Sequence, residues 1–237
     1  MSRLELGGDK VLHLRVASAV ADGVAYWPPG DERRQAYVRY GKRGLDLALC
    51  LIILPVVVLL VAALAAVVAL DGASPFFAHT RVGRGGKSFG CLKLRSMVPD
   101  AQQRLEALLE ADPAARAEWT GTRKLARDPR VTRFGRLLRR TSLDELPQIV
   151  NVFRGEMSLV GPRPVPADEL VRYGHHVDAY LALRPGVTGL WQTMGRNELS
   201  YQKRVQLDCV YKRRLCLLLD LRILAKTVTA VLRRTGL

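Results

Sequence analysis

The sequence predicts an α+β fold that is mostly helical. A re-entrant membrane helix is followed by a compact domain at the membrane interface, which carries amphipathic surface helices. Three observations predict this. Leu47 to Leu70 is 24 residues without a charge. Strand-like stretches flank a glycine-rich turn, Val82–Lys87, with helix-forming segments after it. Tyr201 to Leu237 alternates Leu, Ile and Val with Lys and Arg.

The chain has 237 residues, 49% of them apolar, and a formal charge of +15. It can bury a core, and its excess of Arg and Lys calls for an anionic partner. Nucleic acid, an anionic membrane and a phosphorylated substrate all satisfy that. Nucleic-acid binding predicts aromatics interleaved with the cations. Aromatics are only 6% of the chain, and the reading leaves the apolar run unexplained. No nucleic-acid partner is therefore expected. Cys50, Cys91, Cys209 and Cys216 form no C-x-x-C pair, so they read as reduced packing residues. His13, His79, His175 and His176 lack neighbours at metal-ligand spacing.

Three segments follow from this. Residues 1–40 are polar and punctuated by Gly and Pro, which reads as a loosely ordered arm. Residues 41–72 hold the apolar run. As a helix it would extend about 36 Å, enough for a hydrocarbon core of about 30 Å. Pro55 removes the hydrogen bond to the Leu51 carbonyl and is expected to break or bend it. Arg39, Lys42 and Arg43 precede the run, and Arg81, Arg84 and Lys87 follow it. Two basic flanks conflict with a simple span. A helix that enters, bends at Pro55 and returns resolves the conflict, with a kinked span as the alternative.

Residues 73–237 form the domain. Val82–Lys87, VGRGGK, fails as a P-loop because Arg81 stands where the first glycine belongs, so a tight turn suffices. Ala101–Trp119 reads as a helix, with a break at Pro113. The closing stretch fits helices lying on a membrane surface, or ordinary core-facing helices with basic outer faces.

Asp144 and Glu145 end a basic run. Gly121 to Arg140 holds eight Arg or Lys and one acid. Ser142 to Glu145 fits a capping box, but Pro147 would then lack an N–H that the helix needs. Placing the cap at Asp144 puts Pro147 at the third helical position, where that N–H is not needed. A helix start and nearby cations would both keep Asp144 ionised. Such a carboxylate can bind Mg²⁺ or attack phosphorus. Rigid turns at Gly161-Pro162-Arg163-Pro164 and Arg184-Pro185-Gly186 suit arginine forks offered to phosphate, and Lys93 and Arg95 add two cations.

KLRSM, TSLDELPQ, NVFRGEMSLVGPRP and RPGVTGLWQ, four separate motifs in the right order, resemble the bacterial sugar transferases, the monotopic polyprenyl-phosphate phosphoglycosyl transferases. The likeness runs from about Lys42 to the C-terminus, roughly four fifths of the chain. It implies transfer of a sugar 1-phosphate from a UDP-sugar to undecaprenyl phosphate, with UMP released. It implies an interfacial catalytic domain on the cytoplasmic face of the inner membrane, Mg²⁺, and a phosphosugar carried on Asp144. Glu145 becomes the partner of Asp144 at the metal. Lys93, Arg95, Arg139, Arg163 and Arg184 become phosphate or nucleotide ligands, and Pro55 becomes the helix breaker. Trp191-Gln192 and Gly195-Arg196-Asn197 look closest to exopolysaccharide and O-antigen initiators that use galactose or glucose. Membrane lipids are the remaining partners, and a homodimer is compatible. The competing reading is a non-catalytic adaptor that binds anionic lipid.

Overall fold

The computed structural model describes residues 32–122, 125–194 and 199–232. The first 31 residues of the expected polar arm and the Gly195-Arg196-Asn197 motif lie outside them. By residue 32 the arm has given way to helix. Helix α1 covers Glu32–Asp71, with a π-helical turn at Tyr37–Gly41 and regular α-helix over Lys42–Val68.

Pro55 lies inside α1 and does not end it. The missing N–H removes a single hydrogen bond, and packing holds the helix on both sides. Cys50, Leu54, Val57 and Val61 lie on one helical face. They pack on Phe89, Cys91, Ile149 and Met157. Ala65 continues the stripe against Leu94 and Leu138. Near the start, Asp46 accepts hydrogen bonds from Ser158 Oγ and the Leu159 N–H, both at 3.0 Å. At the end, Arg95 grips Asp71 and the Val68 carbonyl. The helix therefore lies along the domain from end to end. Its other face is open, and Ile52 and Leu59 are 72% and 74% exposed, which a core helix would not allow.

β1 (Phe76–Val82) and β2 (Ser88–Leu94) pair antiparallel, Val82 opposite Ser88. The tight turn between them is Arg84–Gly86, as expected. The helical region after it divides at Pro113 into α2 (Ala101–Ala111) and α3 (Pro113–Thr122). Asp112 Oδ1 accepts from the Ala114 and Ala115 N–H groups, so Asp112 caps α3 and Pro113 fills its first position.

α4 (Arg133–Thr141), a 3₁₀ turn (Leu143–Glu145) and α5 (Gln148–Arg154) come next. β3 (Ser158–Val160) then pairs in parallel with β4 (Gly186–Thr188). Between them run a 3₁₀ segment (Ala167–His176) and α6 (Val177–Leu181). The GPRP and RPGVTG turns thus lie side by side. A Cβ on Gly186 would overlap the Gly161 backbone, so only glycine permits the approach.

α7 (Leu190–Thr193), α8 (Tyr201–Arg214) and α9 (Leu217–Leu232) complete the chain. Leu207, Tyr211, Leu219 and Ile223 are buried against Tyr37 and Trp191. Asp220 accepts from Tyr37 Oη, Lys42 Nζ and Tyr211 Oη, which ties α9 to the start of α1. The core-facing alternative thus describes one side of the closing helices. The other side of α9 leaves Leu217, Leu218, Leu221 and Val228 exposed.

Candidate active site

A helix end, and not a helix start, positions the acid pair. α4 stops at Ser142, which turns left-handed at φ 58°, and its N–H returns to the Leu138 and Arg139 carbonyls. Among the described residues Ser142 alone has a positive φ without being glycine. The chain makes one 3₁₀ turn, and α5 begins only at Gln148, behind Pro147. Neither the capping box on Ser142 nor a helix starting at Asp144 forms. Left-handed Ser142 closes the preceding helix, and Pro147 sits at the boundary of the next.

This turn buries Asp144 and leaves Glu145 on the rim. Lys93 reaches over from β2, its Nζ donating to Glu145 Oε1 at 2.6 Å. Among the described residues no side chain forms an ion pair with Asp144. Burial pushes the Asp144 carboxyl up to about 6; Lys93 and Arg139 pull it down and Glu145 pushes it up. A helix start and nearby cations were expected to favour its ionised form; there is no helix start here, and desolvation raises the carboxyl against the cations while leaving it ionised at neutral pH. Arg139 faces Asp144 from α4 and donates from Nε to Ser96 Oγ at 2.8 Å. Gly135 makes that possible, since a Cβ there would overlap the Ser96 carbonyl.

Cys91 precedes Lys93 by two residues on the same face of β2. Besides burial, its thiol feels Lys93, Glu145, Arg81 and Arg163. Arg81 from β1 and Arg163 from the GPRP turn therefore act electrostatically on the same thiol as the Lys93–Glu145 pair. Burial and then Arg163 hold the pKa of Arg81 down. Arg204 from α8 stands 4.8 Å over the Trp191 ring, and it too has its pKa lowered by burial and by Arg163. This is an acid pair facing a concentration of guanidinium charge, an arrangement suited to phosphate chemistry.

The bacterial sugar transferase family matches residues 37–234. The chain belongs to this family. It is 50% identical over 198 residues to the UDP-galactose-lipid carrier transferase of Erwinia amylovora, covering 84% of this chain and 42% of that one. The undecaprenyl-phosphate galactose phosphotransferase of Salmonella typhimurium gives the same identity and coverage. The exopolysaccharide production protein ExoY of Sinorhizobium fredii is 51% identical over 166 residues, 70% of this chain and 74% of its own. The chain spans less than half the length of the first two relatives.

Within this chain the expected site residues divide. Asp144, Glu145, Lys93 and Arg139 come together, while Arg163 acts on Arg81 and on Cys91, two residues before Lys93. Arg95 does not: it lies beyond the end of β2, held by Asp71 and by the Val68, Ser74 and Met97 carbonyls. Arg184 does not either. Its Nε donates to the Gly155 carbonyl at 2.8 Å, beyond the C-terminal end of α5. The dyad precedes the other end of that helix, and seven residues span about 10 Å. Pro55 belongs to α1, where its neighbour Leu54 packs in the same cluster as Leu146, the residue after Glu145.

Arg81 and Arg204 are site residues that sequence reasoning missed. Arg81 had a usable signal, its period-two spacing from His79, which pairs with Cys91. Arg204 had none, being one cation among several in α8. Asn151 was also missed as a support. Its side chain accepts from the Leu92 N–H and donates to the Gly90 carbonyl and Glu156, fastening α5 to β2.

Among the described residues no group of three or more His, Cys, Asp or Glu converges. Any cation at the dyad would take its protein ligands from Asp144 and Glu145. That fits Mg²⁺, which is commonly held by one or two carboxylates together with water and substrate phosphates. The unpaired, buried carboxylate of Asp144 fits it as well.

Proposed function

We propose that the chain transfers a sugar 1-phosphate from a UDP-sugar to undecaprenyl phosphate, releasing UMP and beginning exopolysaccharide or O-antigen synthesis. The donor is UDP-galactose or UDP-glucose, in keeping with the names of the relatives. The observation that carries the proposal is Asp144: a buried carboxylate without an ion-pair partner, under the influence of Lys93 and Arg139 and beside Glu145.

Lys93, Arg81 and Arg163 neutralise the diphosphate of the donor. An Asp144 oxygen attacks the phosphorus that bears the sugar. The new O–P bond forms as the bond to the UMP oxygen breaks, and UMP leaves with that electron pair. An oxygen of undecaprenyl phosphate then attacks the same phosphorus and expels the Asp144 carboxylate unchanged. Arg139 faces the free carboxylate between turnovers and favours its ionised form. Mg²⁺ held by Asp144 and Glu145 would supply further neutralisation of phosphate charge.

The lie of α1 supports a re-entrant anchor. Both ends pack on the same domain, so both basic flanks stay on one side of the membrane while the open Ile52–Leu59 face meets lipid. The domain would sit on the cytoplasmic face of the inner membrane, where UDP-sugars are available.

The test is UMP release from a panel of UDP-sugars with undecaprenyl phosphate and Mg²⁺ in detergent. Wild type should turn over, and Asp144→Asn should fall by at least about a thousandfold, the scale on which loss of an essential group is felt. Turnover retained by Asp144→Asn would refute the covalent route. Membrane binding without turnover on any donor would favour a non-catalytic adaptor.

A further inference from the structure

The geometry points to a second phosphate-binding site, formed by Arg43, Arg84 and Arg184 at the C-terminal end of α5, which takes a phospholipid headgroup. Arg43 donates to the Val152 and Phe153 carbonyls at 2.6 and 2.9 Å, and Arg184 to the Gly155 carbonyl. Two guanidiniums thus cover the negative end of α5. The Arg84–Gly86 turn packs against α6, and Arg184 follows α6 by three residues, which brings Arg84 to the same place.

The donors are not used up. Only Nε of Arg184 is engaged, and Arg84 makes no hydrogen bond or ion pair among the described residues. The acids nearby are committed elsewhere. Asp46 serves Ser158 and Leu159, and Glu156 serves Asn151. Burial, then Arg43 and Arg84, lower the pKa of Arg184, as expected where guanidiniums crowd with too little counter-charge. A planar fork with free N–H groups is suited to phosphate oxygens.

Location selects the lipid. Arg43 lies four residues before the charge-free run begins at Leu47, and the open apolar face of α1 starts at Leu51. A phosphate here would lie at headgroup depth with its acyl chains alongside α1. The site stands apart from the dyad by the length of α5, so it serves anchoring and does not depend on the proposed reaction.

The test is native mass spectrometry of the full chain in detergent with phosphatidylglycerol. Wild type should retain one phosphatidylglycerol. Arg84→Gln with Arg184→Gln should retain at least fivefold less. Arg136→Gln with Arg140→Gln, two exposed arginines of α4, makes the same charge change elsewhere and should match wild type. Arg84→Gln alone removes no backbone contact, so its loss of lipid excludes a folding defect. Inorganic phosphate that raises the melting temperature of wild type but not of the double variant, with no lipid retained, would keep the site and make its occupant a soluble phosphate. Equal lipid loss in the α4 control, or no difference among the proteins in either measurement, would overturn the proposal.

Discussion

Burial governs Asp46, Asp144 and Asp208 more than their neighbours do. Asp144 is held at about 6, so its nucleophilic form is populated above that pH. Formation of the phosphosugar-enzyme, measured in a single turnover with the metal chelated, should fall as pH drops below about 6. Lys93→Gln removes the strongest downward pull and should move this edge to higher pH; an unmoved edge would mean that another group controls it. Asp208 shows the same physics outside the site. It accepts from Tyr173 at 2.9 Å, its other oxygen has no partner, and burial raises its pKa to about 7. A carboxyl whose folded pKa lies above the unfolded value of about 4 favours folding most at low pH, and that contribution fades as pH rises towards 7. Asp208→Asn should therefore flatten the thermal stability profile between pH 5 and 8 and equal or exceed wild type at pH 8. Parallel profiles would assign the pH dependence elsewhere.

The turn from α4 into the dyad depends on a single left-handed residue. Ser142→Gly should keep or raise the melting temperature. Ser142→Val should lower stability by about 1–2 kcal/mol, the cost of a side chain in that conformation, and should lower turnover because Asp144 is displaced. In α1 the helix continues past Pro55. The stripe Cys50–Leu54–Val57–Val61 packs through the Pro55 region. Pro55→Ala should therefore leave both ends on one side of the membrane. Cysteines placed at Gln35 and Ser74 would report this with an impermeant maleimide. Labelling of the two from opposite faces would show that Pro55 sets the topology.

At the scale of the molecule, one face of α1 is sealed to the domain while the other face and part of α9 stay apolar and open. Membranes bearing the protein should release it into detergent but not into high salt or carbonate, because salt screens the basic patches and leaves apolar contacts intact. Release by salt alone would reduce α1 to a packing element.

Much of this was legible in residues 41–237. The long apolar helix, the turn at Val82–Lys87, the division at Pro113 and the Asp144–Glu145 pair are all encoded locally, by charge-free length, Gly and Pro backbone preferences, and adjacency. Which cations serve the acid pair was not legible. Lys93 and Arg95 stand two residues apart in one motif, yet Lys93 reaches Glu145 while Arg95 is taken by Asp71. Arg163 and Arg184 occupy similar rigid turns, yet Arg163 acts on Arg81 and Cys91 while Arg184 is held by the Gly155 carbonyl. Sequence by itself determined the elements and the chemistry available, because those follow from short-range sterics and side-chain type. Tertiary structure decided the partners and the ionisation of Asp144, because long-range packing sets both the direction of an arginine and the water around a carboxylate.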